Sequence, residues 1–184
     1  MSDAIKHYLQ AIEQALKAGN ATEHTHRPAL KSLLEAIGGN DVRATNEPRQ
    51  IECGAPDFIL TRGVVPLGHV EAKDVGKNLD AVERDEQLER YRRSLGNLVL
   101  TDYLEFRWYL DGDLKLAASL PRPGKDGRIR WNDDSASQVV QLLGQFILAD
   151  LPLKSTPHEL ATRMAGLGHL IHGLIERTFN AESD

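Results

Sequence analysis

The chain has 184 residues, 41% hydrophobic and 27% charged, a balance that suits one globular domain with a sizeable buried core. A formal net charge of −5 argues against a uniformly basic nucleic-acid-binding surface but leaves room for a segregated basic face. The single cysteine, Cys53, excludes an internal disulfide, and no apolar run reaches the ~18 residues of a membrane span, so a soluble protein of the reducing cytoplasm is expected.

Ile5, Leu9, Ile12 and Leu16 recur at helical spacing and stop near Gly19-Asn20. The opening MSDAIKHYLQAIEQALKAGN is therefore expected to be an amphipathic helix, not a secretion signal. A second helix is predicted in ATEHTHRPALKSLLEAIGGN, with Leu30, Leu33, Leu34 and Ile37 on its apolar face, Pro28 in its first turn and Gly38-Gly39 as its stop. From Val42 the period shortens, and RQIECG, PDFILTR and LGHVEAK read as strands bounded by Gly or Pro. DVGKNLD reads as a loop, and AVERDEQLERYRRS as a helix whose buried side is Val82, Leu88, Tyr91 and Leu95.

NLVLTDY and EFRWYLDG read as two strands with a tight connection, and LKLAASLP as a third, paired across the Asp111-Gly112-Asp113 turn. PRPGKDGRIRW is rich in Pro and Gly and reads as a linker. Two helices follow. VVQLLGQFIL stands behind a Ser135/Gln138 capping box, and HELATRMAGLGHLIHGLIERTF behind Thr156/Glu159, with Pro157 in its first turn. The expected organisation is a core with amino-terminal helices over 1–120, a linker over 121–133, and a helical extension or connector over 134–184. The fold class is α/β, a mixed central sheet flanked by helices, with extra carboxy-terminal helices.

The stretch GAPDFILTRGVVPLGHVEAK sets three charges in apolar surroundings. Asp57 opens one strand, while Glu71 and Lys73, two apart, project from the same face of another. If the two strands pair through TRGVVP, all three meet at one edge of the sheet. Unpaired charges are costly to bury, so the three need each other, a metal or a ligand. Two neighbouring carboxylates repel unless a cation separates them, and Mg²⁺ suits the place because it takes oxygen ligands and keeps waters to share with a phosphate. Lys73 then serves as a point charge for phosphate or orients the attacking water. The chemistry indicated is phosphodiester hydrolysis.

Gln87 and Tyr91, four apart, share a helical face, where Tyr91 also fits as a core residue with Gln87 its surface neighbour. Arg84, Arg90, Arg92, Arg93 and Lys77 form either a phosphate-facing patch or a solvated helix face, since acids are interleaved among them. Cys53 reads as a packed thiol and Glu52 as a solvent-facing strand residue. No HExxH, zinc-ligand spacing, Ser-His-Asp arrangement or P-loop is present.

With Pro56-Asp57 followed by Glu71-Ala72-Lys73, each motif preceded by apolar residues, the chain resembles the PD-(D/E)XK nuclease superfamily. The resemblance implies a restriction-endonuclease-like core and a Mg²⁺ ion, for which Mn²⁺ substitutes. It implies Asp57, Glu71 and the Ala72 carbonyl as ligands, Glu23 as an added acid from the first core helix, and Lys73 as a catalytic group. Gln87 and Tyr91 match the QxxxY feature that follows the catalytic strand in many restriction and recombination nucleases, which implies a role for Gln87 at the DNA or the metal. TEHTHRPALKSLL, GAPDF, GHVEAK, the QLERY helix and NLVLTDYLEFRWY, in that order, resemble the amino-terminal nuclease domain of single-polypeptide restriction-modification enzymes over residues 20–112. That family often has an aromatic where His26 stands.

The function so implied is a metal-dependent endodeoxyribonuclease domain cutting double-stranded DNA in restriction-modification or phage defence. Its partners would be methyltransferase or helicase domains of a larger polypeptide or complex, reached through PHELATRMAGLGHLIHGLIER as connector. Two alternatives stand beside it: a non-catalytic nuclease-like DNA-binding or docking module, and a stand-alone repair or recombination nuclease.

Overall fold

The computed structural model describes residues 2–48 and 54–149. Two helices, α1 (Ser2–Lys17) and α2 (Glu23–Gly38), precede three strands, β1 (Val42–Asn46), β2 (Phe58–Arg62) and β3 (Val65–Ala72). Helices α3 (Leu79–Val82) and α4 (Glu86–Ser94) lead to β4 (Asn97–Thr101), β5 (Glu105–Leu110) and β6 (Asp113–Ser119), and α5 (Asp133–Leu148) follows. The strands form one mixed sheet in the order β1-β2-β3-β4-β5-β6. All neighbours are antiparallel except β3 and β4, which run parallel.

Parallel neighbours cannot be joined by a hairpin, so the chain crosses over between β3 and β4, and α3 and α4 are that crossover. The alternation of side chains along the strands then splits the core in two. Ile5, Ile12, Leu30, Leu34, Val139, Leu143 and Phe146 from α1, α2 and α5 pack on Phe58, Leu60, Val70, Val99 and Phe106. On the other face Leu79, Val82, Leu88, Tyr91 and Leu95 cover Leu98, Leu100 and Tyr109.

The expected mixed sheet between helices is thus the fold, but several local boundaries differ. The first described strand is Val42–Asn46, while the strand expected at RQIECG falls on residues 49–53, with Glu52 and Cys53, which lie outside the described residues. Helix α2 begins at Glu23, so Pro28 lies inside the helix and not in its first turn. The Thr22 amide donates to Thr25 Oγ1 at 3.0 Å, a start that Thr22 supplies earlier than Pro28 suggests. AVERDEQLERYRRS is two helices: Asn78 caps α3 by accepting from the amides of Asp80 and Ala81, and α4 restarts behind Asp85. Ser135 and Gln138 form no capping box. Asn132 caps α5 instead, accepting from the Ser135 amide at 2.8 Å.

The β5–β6 turn is as expected, with Asp111 (φ 54°) and Gly112 (φ 84°) both left-handed, as a two-residue hairpin turn matched to strand twist requires. The span expected as an extension begins with α5, whose Val139, Leu142, Leu143, Phe146 and Ile147 are buried in the main core. The helix expected behind Thr156 lies outside the described residues.

Gly68 is where α5 comes nearest to β3. A Cβ there would stand 2.5 Å from Phe146 Cε2 and 2.8 Å from Asn97 Nδ2. Asn97 is itself committed, donating to the carbonyls of Leu67 and Phe146 and accepting from Trp108 Nε1. Gly68→Ala is expected to destabilise the protein by about 2 kcal/mol through overpacking, read as a fall of several degrees in thermal midpoint. An unchanged midpoint would mean that α5 does not seat against β3.

Candidate active site

The charged residues gather where β3 ends and β2 begins. Asp57 stands one residue beyond the Phe58–Val70 pair of the β2–β3 ladder. Its carbonyl accepts from the Glu47 amide at 2.8 Å, and its Oδ2 accepts from the Ala72 amide at 2.8 Å. The far end of β3 is fixed in turn by the Lys73 amide, which donates to the Thr101 carbonyl at 2.8 Å. Backbone pairing therefore sets Asp57 beside the Glu71–Lys73 segment.

Glu71 is 4% exposed. Its Oε1 accepts from Lys73 Nζ at 2.6 Å and from Gln87 Nε2 at 3.2 Å. Its Oε2 is buried with no hydrogen-bond partner, an exception that calls for an explanation. Gln87 lies in the first turn of α4 and also donates to the Tyr91 hydroxyl at 3.2 Å. Tyr91 is buried in the second core, where a Cβ on Gly54 (φ 131°) would come within 2.9 Å of its hydroxyl. Tyr91 is therefore a packing residue that steadies Gln87.

Glu23 comes from the start of α2, and its carboxylate is held by Arg27, one turn on, at 2.9 Å. Arg27 also bonds Glu47 at 2.7 Å and Asp57 Oδ1. The start of α2 is tied down from behind: the Glu23 amide donates to Asp74 at 2.9 Å and the Tyr103 hydroxyl to the Glu23 carbonyl at 2.7 Å. Asp102, fully buried, accepts from the Gly76 amide at 2.9 Å and pairs with Arg122, which anchors the loop after Lys73.

Asp57, Glu71, Lys73 and Gln87 thus come together, and Glu23 reaches Asp57 only through Arg27. Arg27, Glu47 and Asp102 are members that motif reading passed over. The spacing of Glu23 and Arg27, four apart on one helix, was the available signal for the first.

Burial is the main reason that the Glu71 carboxyl is pushed up to about 7, with the Asp57 charge adding to it and Lys73 only partly offsetting it. Burial works to lower the Lys73 ammonium, but Glu71, Asp57 and Glu23 together outweigh it and hold Lys73 protonated. Lys73 therefore acts as a cation, not as a proton acceptor. The two shifts agree on a local field that is net negative. Among the described residues no three His, Cys, Asp or Glu side chains form a ready-made metal cage. Two carboxylates, one with an unpartnered oxygen, remain a sufficient protein contribution for a hard divalent cation that retains waters.

The raised Glu71 value has a signed consequence for stability. Folded Glu71 keeps its proton to about pH 7, whereas the unfolded chain releases it near the ordinary 4.5. The metal-free protein is therefore expected to lose stability as pH rises from 5 to 8, by on the order of 3 kcal/mol from this group. In chelator, Glu71→Gln should remove that part of the slope in denaturant titrations. Parallel slopes for the parent and the variant would refute the assignment.

No family model matches the chain, and no curated protein matches it. Among the described residues no helix is long and apolar enough to cross a membrane. Among solved structures the chain is similar to one in the cryo-EM structure of a DrdV–DNA complex, with a TM-score of 0.63 and 20% identity. The similarity covers 80% of this chain and 14% of that one, so this chain spans a small part of that protein's length. The likeness shows a shared fold.

Proposed function

We propose that the chain is a metal-dependent DNA endonuclease domain of the PD-(D/E)XK type, with Asp57, Glu71 and Lys73 as its working groups. The observation that carries this reading is the buried, unpartnered Oε2 of Glu71, set beside Asp57 and a protonated Lys73. A carboxylate so placed is costly unless a cation comes to it. The DNA in the complex of similar fold supports DNA as the substrate.

A Mg²⁺ or Mn²⁺ ion held by Asp57, Glu71 and the Ala72 carbonyl would supply Lewis-acid stabilisation of phosphate charge and a more acidic bound water. The chain's own groups do the rest. The Ala72 amide orients Asp57, and Gln87 holds the rotamer of Glu71. The Lys73 ammonium, 2.6 Å from Glu71, points its charge at the phosphate and orients the attacking water. Water oxygen then bonds to phosphorus and gives up a proton to solvent, the bond from phosphorus to one ester oxygen breaks, and that oxygen leaves with a proton from solvent. Glu23 has an indirect part in this scheme, since Arg27 lies between it and Asp57.

Restriction or phage defence is the setting we propose, with methyltransferase or helicase domains as partners in a longer polypeptide. The small share of the DrdV chain that is covered fits a module of that kind. A non-catalytic docking module is the alternative.

With Mg²⁺ and plasmid DNA, Asp57→Asn and Lys73→Ala are expected to lower cleavage by on the order of a hundredfold while keeping the parent circular dichroism. Gln87→Ala, which only steadies Glu71, is expected to cost about tenfold. Cleavage by both Asp57→Asn and Lys73→Ala at the parent rate would sink the catalytic assignment, and Mn²⁺ calorimetry showing no binding would favour the docking module.

A further inference from the structure

Arg27 is 6% exposed, and its guanidinium joins three carboxylates: Glu23 at 2.9 Å, Glu47 at 2.7 Å, and Asp57. Both Asp57 oxygens are engaged in this arrangement, Oδ1 by Arg27 and Oδ2 by the Ala72 amide, so the Arg27 charge sits directly on the carboxylate. A divalent cation beside Asp57 would face a fixed guanidinium charge across one carboxylate, a strong repulsion in a partly buried place. We propose that Arg27 is an internal counter-ion that competes with the divalent cation for Asp57 and so sets the metal affinity of the site, with Glu47 receiving it when the cation enters. This inference rests on the metal-dependent reading above.

Three observations make the exchange physically easy. Arg27 Nε is buried with no partner, so turning the guanidinium away from Asp57 breaks no bond at that nitrogen. Glu47 already accepts from Nη1, and its side chain is 66% exposed, so it can follow the guanidinium. Asn46 Oδ1 lies 3.4 Å from the same Nη1, a further acceptor on the Glu47 side. The Ala72 amide holds Asp57 throughout, so the carboxylate stays in place while its cation changes. A guanidinium suits this role because it remains charged at any physiological pH. In the metal-free protein Arg27 offsets charge that would otherwise strain the sheet end.

Glu47 is a positioning residue here, acting through Arg27. The test uses the full 184-residue chain stripped with chelator, titrated with Mn²⁺ in a calorimeter as parent, Arg27→Gln, Glu47→Gln and the double variant. Arg27→Gln is expected to bind Mn²⁺ about tenfold tighter or more, since a repelling charge is gone. Glu47→Gln is expected to bind several-fold more weakly, because Arg27 loses its alternative partner, and this effect should vanish in the Arg27→Gln background. A general loss of negative charge would weaken both backgrounds equally.

If the parent binds Mn²⁺ and Arg27→Gln binds it no tighter, the counter-ion role is overturned while the metal reading stands. If neither parent nor Arg27→Gln binds Mn²⁺, the metal reading itself fails, and this inference with it. Binding by Arg27→Gln alone supports the proposal. So does an Arg27→Gln protein that folds, by circular dichroism, only when Mn²⁺ is added. Should that variant not fold at all, Glu47→Gln decides: binding equal to or tighter than the parent's overturns the proposal.

Discussion

The single parallel pairing in the sheet, between β3 and β4, is the constraint on which the rest of the architecture depends. It forces a crossover, the crossover supplies α3 and α4, and these cover the face of the sheet opposite α1, α2 and α5. Both faces of β4 and of the end of β3 are then covered: β4 is buried at every position, and so are Val70, Glu71 and Ala72. A glutamate near the end of β3 cannot reach water sideways. Its contacts must come from the strand itself, as with Lys73, or from the crossover, as with Gln87. The break between α3 and α4 matters for the same reason, because it starts a new helix whose first turn faces Glu71.

Charge at the sheet end is unbalanced by construction. Glu23, Glu47, Asp57 and Glu71 meet two cations, Arg27 and Lys73. The cations are divided between the two sides: Arg27 arrives from α2 and Lys73 from β3. Each satisfies its nearest acids, and at Glu71, the most buried of the four carboxyls, the residual negative field adds to the larger effect of burial. Such a field disfavours ionisation in isolation and would be offset by an incoming cation, which is what the proposed metal-dependent reading requires.

Much of this was legible in advance where the signal is local. The short apolar runs of β2, β3, β4 and β5, the Asp-Gly turn and the shared face of Glu71 and Lys73 follow from residue spacing, and Asp57 joins that pair once β2 and β3 are paired. Less legible were features decided by competition between local signals. Pro28 suggested a later helix start, but the Thr22–Thr25 bond and the ties from Asp74 and Tyr103 hold the helix open at Glu23. Ser135 and Gln138 suggested the cap of α5, but Asn132, three residues before Ser135, supplies it. The helix-forming composition of AVERDEQLERYRRS hid the break at Asp85, next to Glu83, whose carboxylate is engaged by Arg107 and Tyr109 across the sheet.

The sequence by itself determined the alternation of strand and helix and the set of charged residues that would need partners, since both depend on periodicity and on the cost of burying charge. Tertiary structure decided which partners they obtain. Asp57 meets the Ala72 amide because β2 and β3 are antiparallel, and Glu71 meets Gln87 because β3 and β4 are not. Arg27 enters the group because α2 packs along β1 and carries its guanidinium to the sheet end. Long-range pairings of this kind have no trace in local spacing, since they depend on how whole elements stack.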